Sequence, residues 1–119
     1  MPTPKPGTPV RGSRSGRPIM ALLDLLGRRW TLRVLWELRD GPETFRGLRA
    51  RCDDMSPSVL NTRLRELRAA GIVSAEGEAG YTLSGQGREL LRALRPLSDW
   101  ARAWARRERT AATPPRRRN

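Results

Sequence analysis

The chain has 119 residues, one Cys, no His and a formal charge of +12, a length that suits one small domain with tails. A single Cys allows no internal disulfide, and the lack of His removes imidazole metal ligands and His-based acid–base catalysis. The excess of positive charge favours a polyanionic partner.

Apolar residues are unevenly spread along the chain. Residues 1–17 and 110–119 are rich in Pro, Gly, Ser, Thr and Arg, and are expected to be disordered basic tails. The foldable domain is residues 18–109. Residues 18–105 hold 14 Arg against 11 acidic residues, a net +3, while the segments outside hold 10 basic residues against one acid, a net +9. The tails therefore supply most of the field. The N-terminus has no secretory apolar run and no stretch reaches membrane-spanning length, so a cytoplasmic protein with no membrane partner is expected.

Ile19, Leu22, Leu23 and Leu26 fall at i, i+3, i+4 and i+7, the spacing of an amphipathic helix, and Gly27 ends it. Trp30 opens a second helix in which Leu32, Leu35 and Trp36 repeat the spacing. Asp40-Gly41-Pro42 stops it. Trp30 and Trp36 are expected in the core. Thr44 is placed to cap a short third helix with Phe45 and Leu48 inward. Cys52, Asp53, Asp54 and Met55 then form a turn, with Cys52 as a small buried hydrophobe. Ser56 caps a fourth helix and Pro57 takes its first position, where a missing N–H costs nothing. Gly71 closes it. Ile72 to Ala75 and Tyr81 to Leu83 are strand candidates joined by the Glu76–Gly80 turn. Ser84 begins a last helix, expected to run to about Arg109. Its Leu90, Leu94, Leu97, Ala101 and Trp104 are spaced 4-3-4-3, with Leu91 and Trp100 widening the seam. Pro96 should kink or split it.

This order is mainly α with a small β-hairpin wing, the layout of a winged helix-turn-helix. On a wheel of about 100° per residue with Leu60 at zero, Leu64 and Leu67 lie within about 40° and form the core face. Ser58, Asn61, Thr62 and Arg65 lie about 100–200° away. Asn and Arg each make paired hydrogen bonds to purine edges, and Thr offers a hydroxyl or a methyl, so these four are assigned to base reading. Arg63 and Arg68 on the flanks, Thr44, Arg46 and Arg49 on the preceding helix, and Ser56 suit phosphate contacts. The wing tip carries Glu76 and Glu78, which would repel DNA.

Several stretches also resemble HxlR-type winged helix-turn-helix regulators. They are Met20 to Trp30, Val34-Leu35-Trp36-Glu37-Leu38, Gly41-Pro42, Phe45-x-x-Leu48-Arg49, Leu60 through Leu67, Gly71-Ile72-Val73 and Tyr81-Thr82-Leu83-Ser84-x-x-Gly87. The resemblance covers about residues 18–105. It implies a homodimeric transcription regulator on a palindromic operator in double-stranded DNA, with the first and last helices building the dimer. The residues assigned to that interface are Ile19, Leu22, Leu23, Leu90, Leu94, Leu97, Trp100, Ala101 and Trp104. Two features depart from the family pattern. Many members carry a Cys just ahead of the first helix, where this chain has Arg17-Pro18-Ile19, and the wing here is shorter.

Other functions are weighed on the same residues. No carboxylate pair, Ser–His or Cys–His set, or phosphate-binding Gly loop after a strand is present, so no enzyme, cofactor or metal site is expected. No residue pattern names a small-molecule effector. A non-specific basic nucleic-acid-binding protein, driven by the tails, is the alternative. A winged-helix interaction module without DNA binding is a further one.

Overall fold

A computed structural model describes residues 4–6 and 17–112. The expected tails lie mostly outside these residues. Five helices and one hairpin follow in the expected order: α1 (Pro18–Leu26), α2 (Thr31–Glu37), α3 (Phe45–Arg51), α4 (Pro57–Ala69), β1 (Val73–Ala75), β2 (Tyr81–Leu83) and α5 (Gly85–Ala112). Among the described residues, no helix is long and apolar enough to cross a membrane.

The core draws one or more side chains from every element. Leu35 and Leu38, Leu48, and Leu60, Leu64 and Leu67 are fully buried, with Val34 and Cys52 beside them. Each such leucine contributes about 1.5–3 kcal/mol relative to an exposed one. The spacing of Leu60, Leu64 and Leu67 is what turns one side of α4 inward.

The hairpin is antiparallel, with Val73 opposite Leu83, Ser74 opposite Thr82 and Ala75 opposite Tyr81. Its connection is a 3₁₀ turn, Gly77–Ala79. Glu43 adds an isolated bridge to Tyr81, exchanging hydrogen bonds of 2.9 and 2.8 Å. This third contact was not expected from the sequence, because one paired residue leaves no alternation to detect. Gly80 makes it possible: a Cβ there would collide with the Glu43 carbonyl. Gly87 has the same role where α5 meets the hairpin, since a Cβ would strike the Ile72 carbonyl. Ser84 caps α5, accepting from the Gly87 N–H at 3.0 Å and donating to the Gly71 carbonyl at 2.7 Å.

Three expectations are corrected. Trp36 is half exposed, as is Leu32, because Val34, Leu35 and Leu38 already fill the core side of α2. The Arg39 guanidinium sits 4.2 Å from the Trp36 ring centroid and covers it in part. Trp30, by contrast, packs on the core as expected and opens α2 as its N-cap, with φ of 77°. Pro96 does not split α5, which stays helical through it to Ala112, three residues past the expected end. Pro96 and Arg92 are both exposed, so water can satisfy the carbonyl that loses its helical partner. Finally, Leu22, Leu90, Leu91 and Leu94 pack against the chain's own core. The outward seam is thereby reduced to the residues beyond them.

Candidate nucleic-acid interface

The α3–turn–α4 unit is held rigidly. Thr44 caps α3 by accepting from the Gly47 N–H at 3.0 Å. Asp53 and Asp54 then take consecutive left-handed conformations, with φ of 57° and 53°. Asp tolerates this region better than most side chains because its carboxylate bonds locally. Two arginines fasten the turn. Arg49 donates from Nε to the Met55 carbonyl at 2.7 Å, and Arg33 donates to the Arg51 carbonyl at 2.7 Å while pairing with Asp53 at 3.3 Å. Cys52 and Met55 are buried beneath it. Burial pushes the Cys52 thiol up, with the Glu37 and Asp53 carboxylates adding to the shift and Arg33 opposing it.

Ser56 caps α4, its hydroxyl 3.5 Å from the Val59 nitrogen and 3.0 Å from the Ser58 hydroxyl. The outer side of α4 then carries Ser58, Asn61, Arg65 and Arg68, all exposed. On the wheel used above these four span an arc of about 80°. The side chains of Arg65, Arg68 and Asn61 make no hydrogen bond or ion pair among the described residues, and neither does that of the exposed Arg46 on α3. Thr62 is half-buried and its hydroxyl donates back to the Ser58 carbonyl at 2.9 Å, so the hydroxyl is already engaged.

The inner flank of α4 differs. Arg63 donates from Nε to the Arg29 carbonyl at 2.8 Å and pairs with Glu66. Glu66 also pairs with Arg28, which lies 3.7 Å from Asp24. Desolvation lowers the Arg63 pKa, and the nearby Arg28 charge adds to it. Arg63 therefore turns away from the surface on which phosphates would lie, correcting its sequence assignment. Arg49 is corrected likewise, since its guanidinium is spent on the turn. The Asp24, Arg28 and Glu66 cluster was not read from the sequence. The available signal was Glu66 three residues after Arg63, a spacing that pairs charges on a helix.

The wing tip projects Glu76 and Glu78 into solvent. Elsewhere, α1 exposes Ile19 and Leu23, and α5 exposes Leu97 (62%), Trp100 (55%), Ala101 and Trp104 (50%). The two tryptophan rings stack with centroids 5.9 Å apart. Among the described residues, no cluster of His, Cys, Asp and Glu is arranged to hold a metal.

Comparison with known proteins agrees with this geometry. A family model described as HxlR-like helix-turn-helix matches residues 25–109. The uncharacterized HTH-type transcriptional regulator YvaP of Bacillus subtilis (strain 168) is 30% identical over 88 residues, covering 69% of this chain and 82% of that protein. The structure of quinone-bound YodB from B. subtilis superposes with a TM-score of 0.67 at 29% identity, covering 71% of this chain and 96% of that one. A possible HxlR family transcriptional factor from Thermoplasma volcanium GSS1 gives a TM-score of 0.63 at 25% identity, covering 71% and 82%. A capped helix-turn-helix with its outer face unpaired, a short hairpin wing and this match over most of the chain lead to one conclusion: the chain belongs to the HxlR-like helix-turn-helix family, and is a DNA-binding transcriptional regulator of that type, not an enzyme.

Proposed function

We propose that two copies of the chain join through α1 and α5 and present their α4 helices to the half-sites of a palindromic operator. The observation that carries this reading is the outer side of α4, where Ser58, Asn61 and Arg65 stand exposed, with Asn61 and Arg65 unpaired. In a helix-turn-helix the second helix enters the major groove, and its N-terminal part meets base edges. Asn61 and Arg65 are the base readers, with Ser58 and the Thr62 methyl beside them. Arg46 and Arg68, with the Thr44 and Ser56 hydroxyls, contact phosphates and set the register.

The dimer rests on the exposed apolar residues of α1 and α5. Leu97, Trp100 and Trp104 lie on a helix that runs past its last core-packed residue, Leu94. Aromatic residues are the side chains most enriched in interface hot spots. Ile19 and Leu23 supply a second exposed apolar pair.

The relative YodB is seen with a quinone bound. In this chain the sole thiol, Cys52, is fully buried and held protonated by desolvation, so it presents no accessible thiolate to a quinone or another electrophile. Any small-molecule signal acts through other groups.

The net +9 outside residues 18–105 favours a second contribution, sequence-blind attraction to any nucleic acid. Selection of bound sequences from a random DNA pool separates the two. The operator reading expects an inverted repeat with half-sites about one helical turn apart. Enrichment of no sequence, with affinity that collapses as salt rises, would leave only the non-specific binder.

A further inference from the structure

The charge cluster on the inner flank of α4 joins three parts of the chain. Asp24 belongs to α1, Arg28 to the loop after it, and Arg63 and Glu66 to α4. Two positive and two negative groups make it neutral. Arg28 bridges Asp24 on one side and Glu66 on the other, while Arg63 adds its bond to the Arg29 carbonyl. The Arg28, Glu66 and Asp24 side chains are only 11–13% exposed. The loop they hold is short, and it leads into Trp30 in a left-handed conformation. A non-Gly aromatic keeps that conformation only when its surroundings enforce it.

Burying four charges is a poor way to gain stability, because desolvation offsets much of the attraction and apolar replacements often do as well. What a two-sided ionic bridge supplies better is a defined orientation. We propose that Arg28 and Glu66 are positioning residues that fix the angle between α1 and α4, and so set the separation of the two α4 helices in the dimer. The inference rests on the reading of α1 as a dimer helix. Neither side chain faces DNA. Their effect reaches the operator through geometry: each half-site contact stays intact, but the distance between half-sites is read less strictly.

The test uses the full chain and its selected operator. Arg28→Met removes the bridge while keeping the apolar stem and the Arg63–Glu66 pair. Glu66→Gln is near-isosteric and keeps a hydrogen-bond acceptor for Arg28. For each, affinity is measured on the operator, on versions with one base pair inserted or deleted between half-sites, and on a single half-site. Circular dichroism and sedimentation report fold and dimer. Both variants are expected to stay folded and dimeric and to bind the single half-site as the parent does. Their preference for the natural spacing over the altered ones should fall by about fivefold or more, within the range of such couplings.

A folded, dimeric variant with the parent's spacing profile would overturn the proposal. So would equal weakening on every duplex, or failure of both variants to fold, since the cluster would then be a core element only. A parent protein indifferent to spacing would overturn the dimer-on-palindrome reading itself, which is a separate result.

Discussion

Arg63 and Arg65 stand two residues apart on α4 and differ in almost every physical respect. Arg63 is held by a backbone carbonyl and by Glu66, and desolvation has lowered its pKa. Arg65 is exposed and its side chain makes no bond among the described residues. One flank of α4 is fastened to the rest of the protein, and the other is exposed with its Arg65 and Arg68 side chains unbonded. In a chain with 24 basic residues, an arginine's identity says little about its work. Its partners decide that.

The contrast breaks most visibly in stability. Arg63→Ala leaves the Glu66 carboxylate with one partner fewer in a mostly buried site, and should cost about 3 kcal/mol, the scale for breaking a buried pair. Arg65→Ala should stay within about 0.5 kcal/mol, as surface changes do. Urea midpoints of the two variants check this. Equal losses would mean that the two flanks are not distinct.

A smaller effect sharpens the comparison at the ends of the molecule. Leu94 packs on the core, whereas Trp104 on the same helix is half exposed. Trp104→Ala should therefore weaken self-association by about 2 kcal/mol, the size of an interface hot spot, with little change in the protomer's fold. Sedimentation across micromolar concentrations follows it. A Trp104→Ala protein that associates like the parent would remove α5 from the proposed dimer.

Smaller still are the effects of the arginines proposed to contact phosphates. Arg46→Ala and Arg68→Ala should each weaken operator and random duplex alike. Each removes one contact from either copy of the proposed dimer, and so should also make the slope of log affinity against log salt shallower by about 1.8, at about 0.9 for each neutralised phosphate. Binding isotherms at several salt concentrations measure it. A selective weakening on the operator would move the residue into the base-reading group.

Much of this fold was legible in the sequence, for identifiable reasons. Ser56-Pro57 and Thr44 announce helix starts by local hydrogen-bond chemistry, and both are caps in the structure. The Leu60, Leu64 and Leu67 spacing placed the inner face of α4, because periodicity and burial are directly linked. What the sequence did not disclose depends on long-range partners. Trp36 fits a helical apolar pattern, yet it lies outside because other residues fill the core first. Arg63 and Arg68 look alike on a wheel, and only Arg29 and Glu66, brought in by folding, tell them apart. The seam on α5 read as one continuous stripe, but it divides near Leu94 into a part that meets the core and a part that does not. Helical spacing shows which residues share a face and not how far the neighbouring surface extends.

On the proposed function, the outer flank of α4 reads sequence while the inner flank holds the helix in place. The most direct measurement is the ratio of affinities for the selected operator and a random duplex, at fixed salt, for the parent, Asn61→Ala, Arg65→Ala and Arg68→Ala. Removing a bidentate hydrogen-bond pair to a base should lower the discrimination by about 1–3 kcal/mol for each half-site in the first two variants, while Arg68→Ala keeps the parent's ratio with lower affinity for both duplexes. If Asn61→Ala and Arg65→Ala kept the parent's ratio, the outer flank would not be the reading surface, and the assignment of α4 would fail.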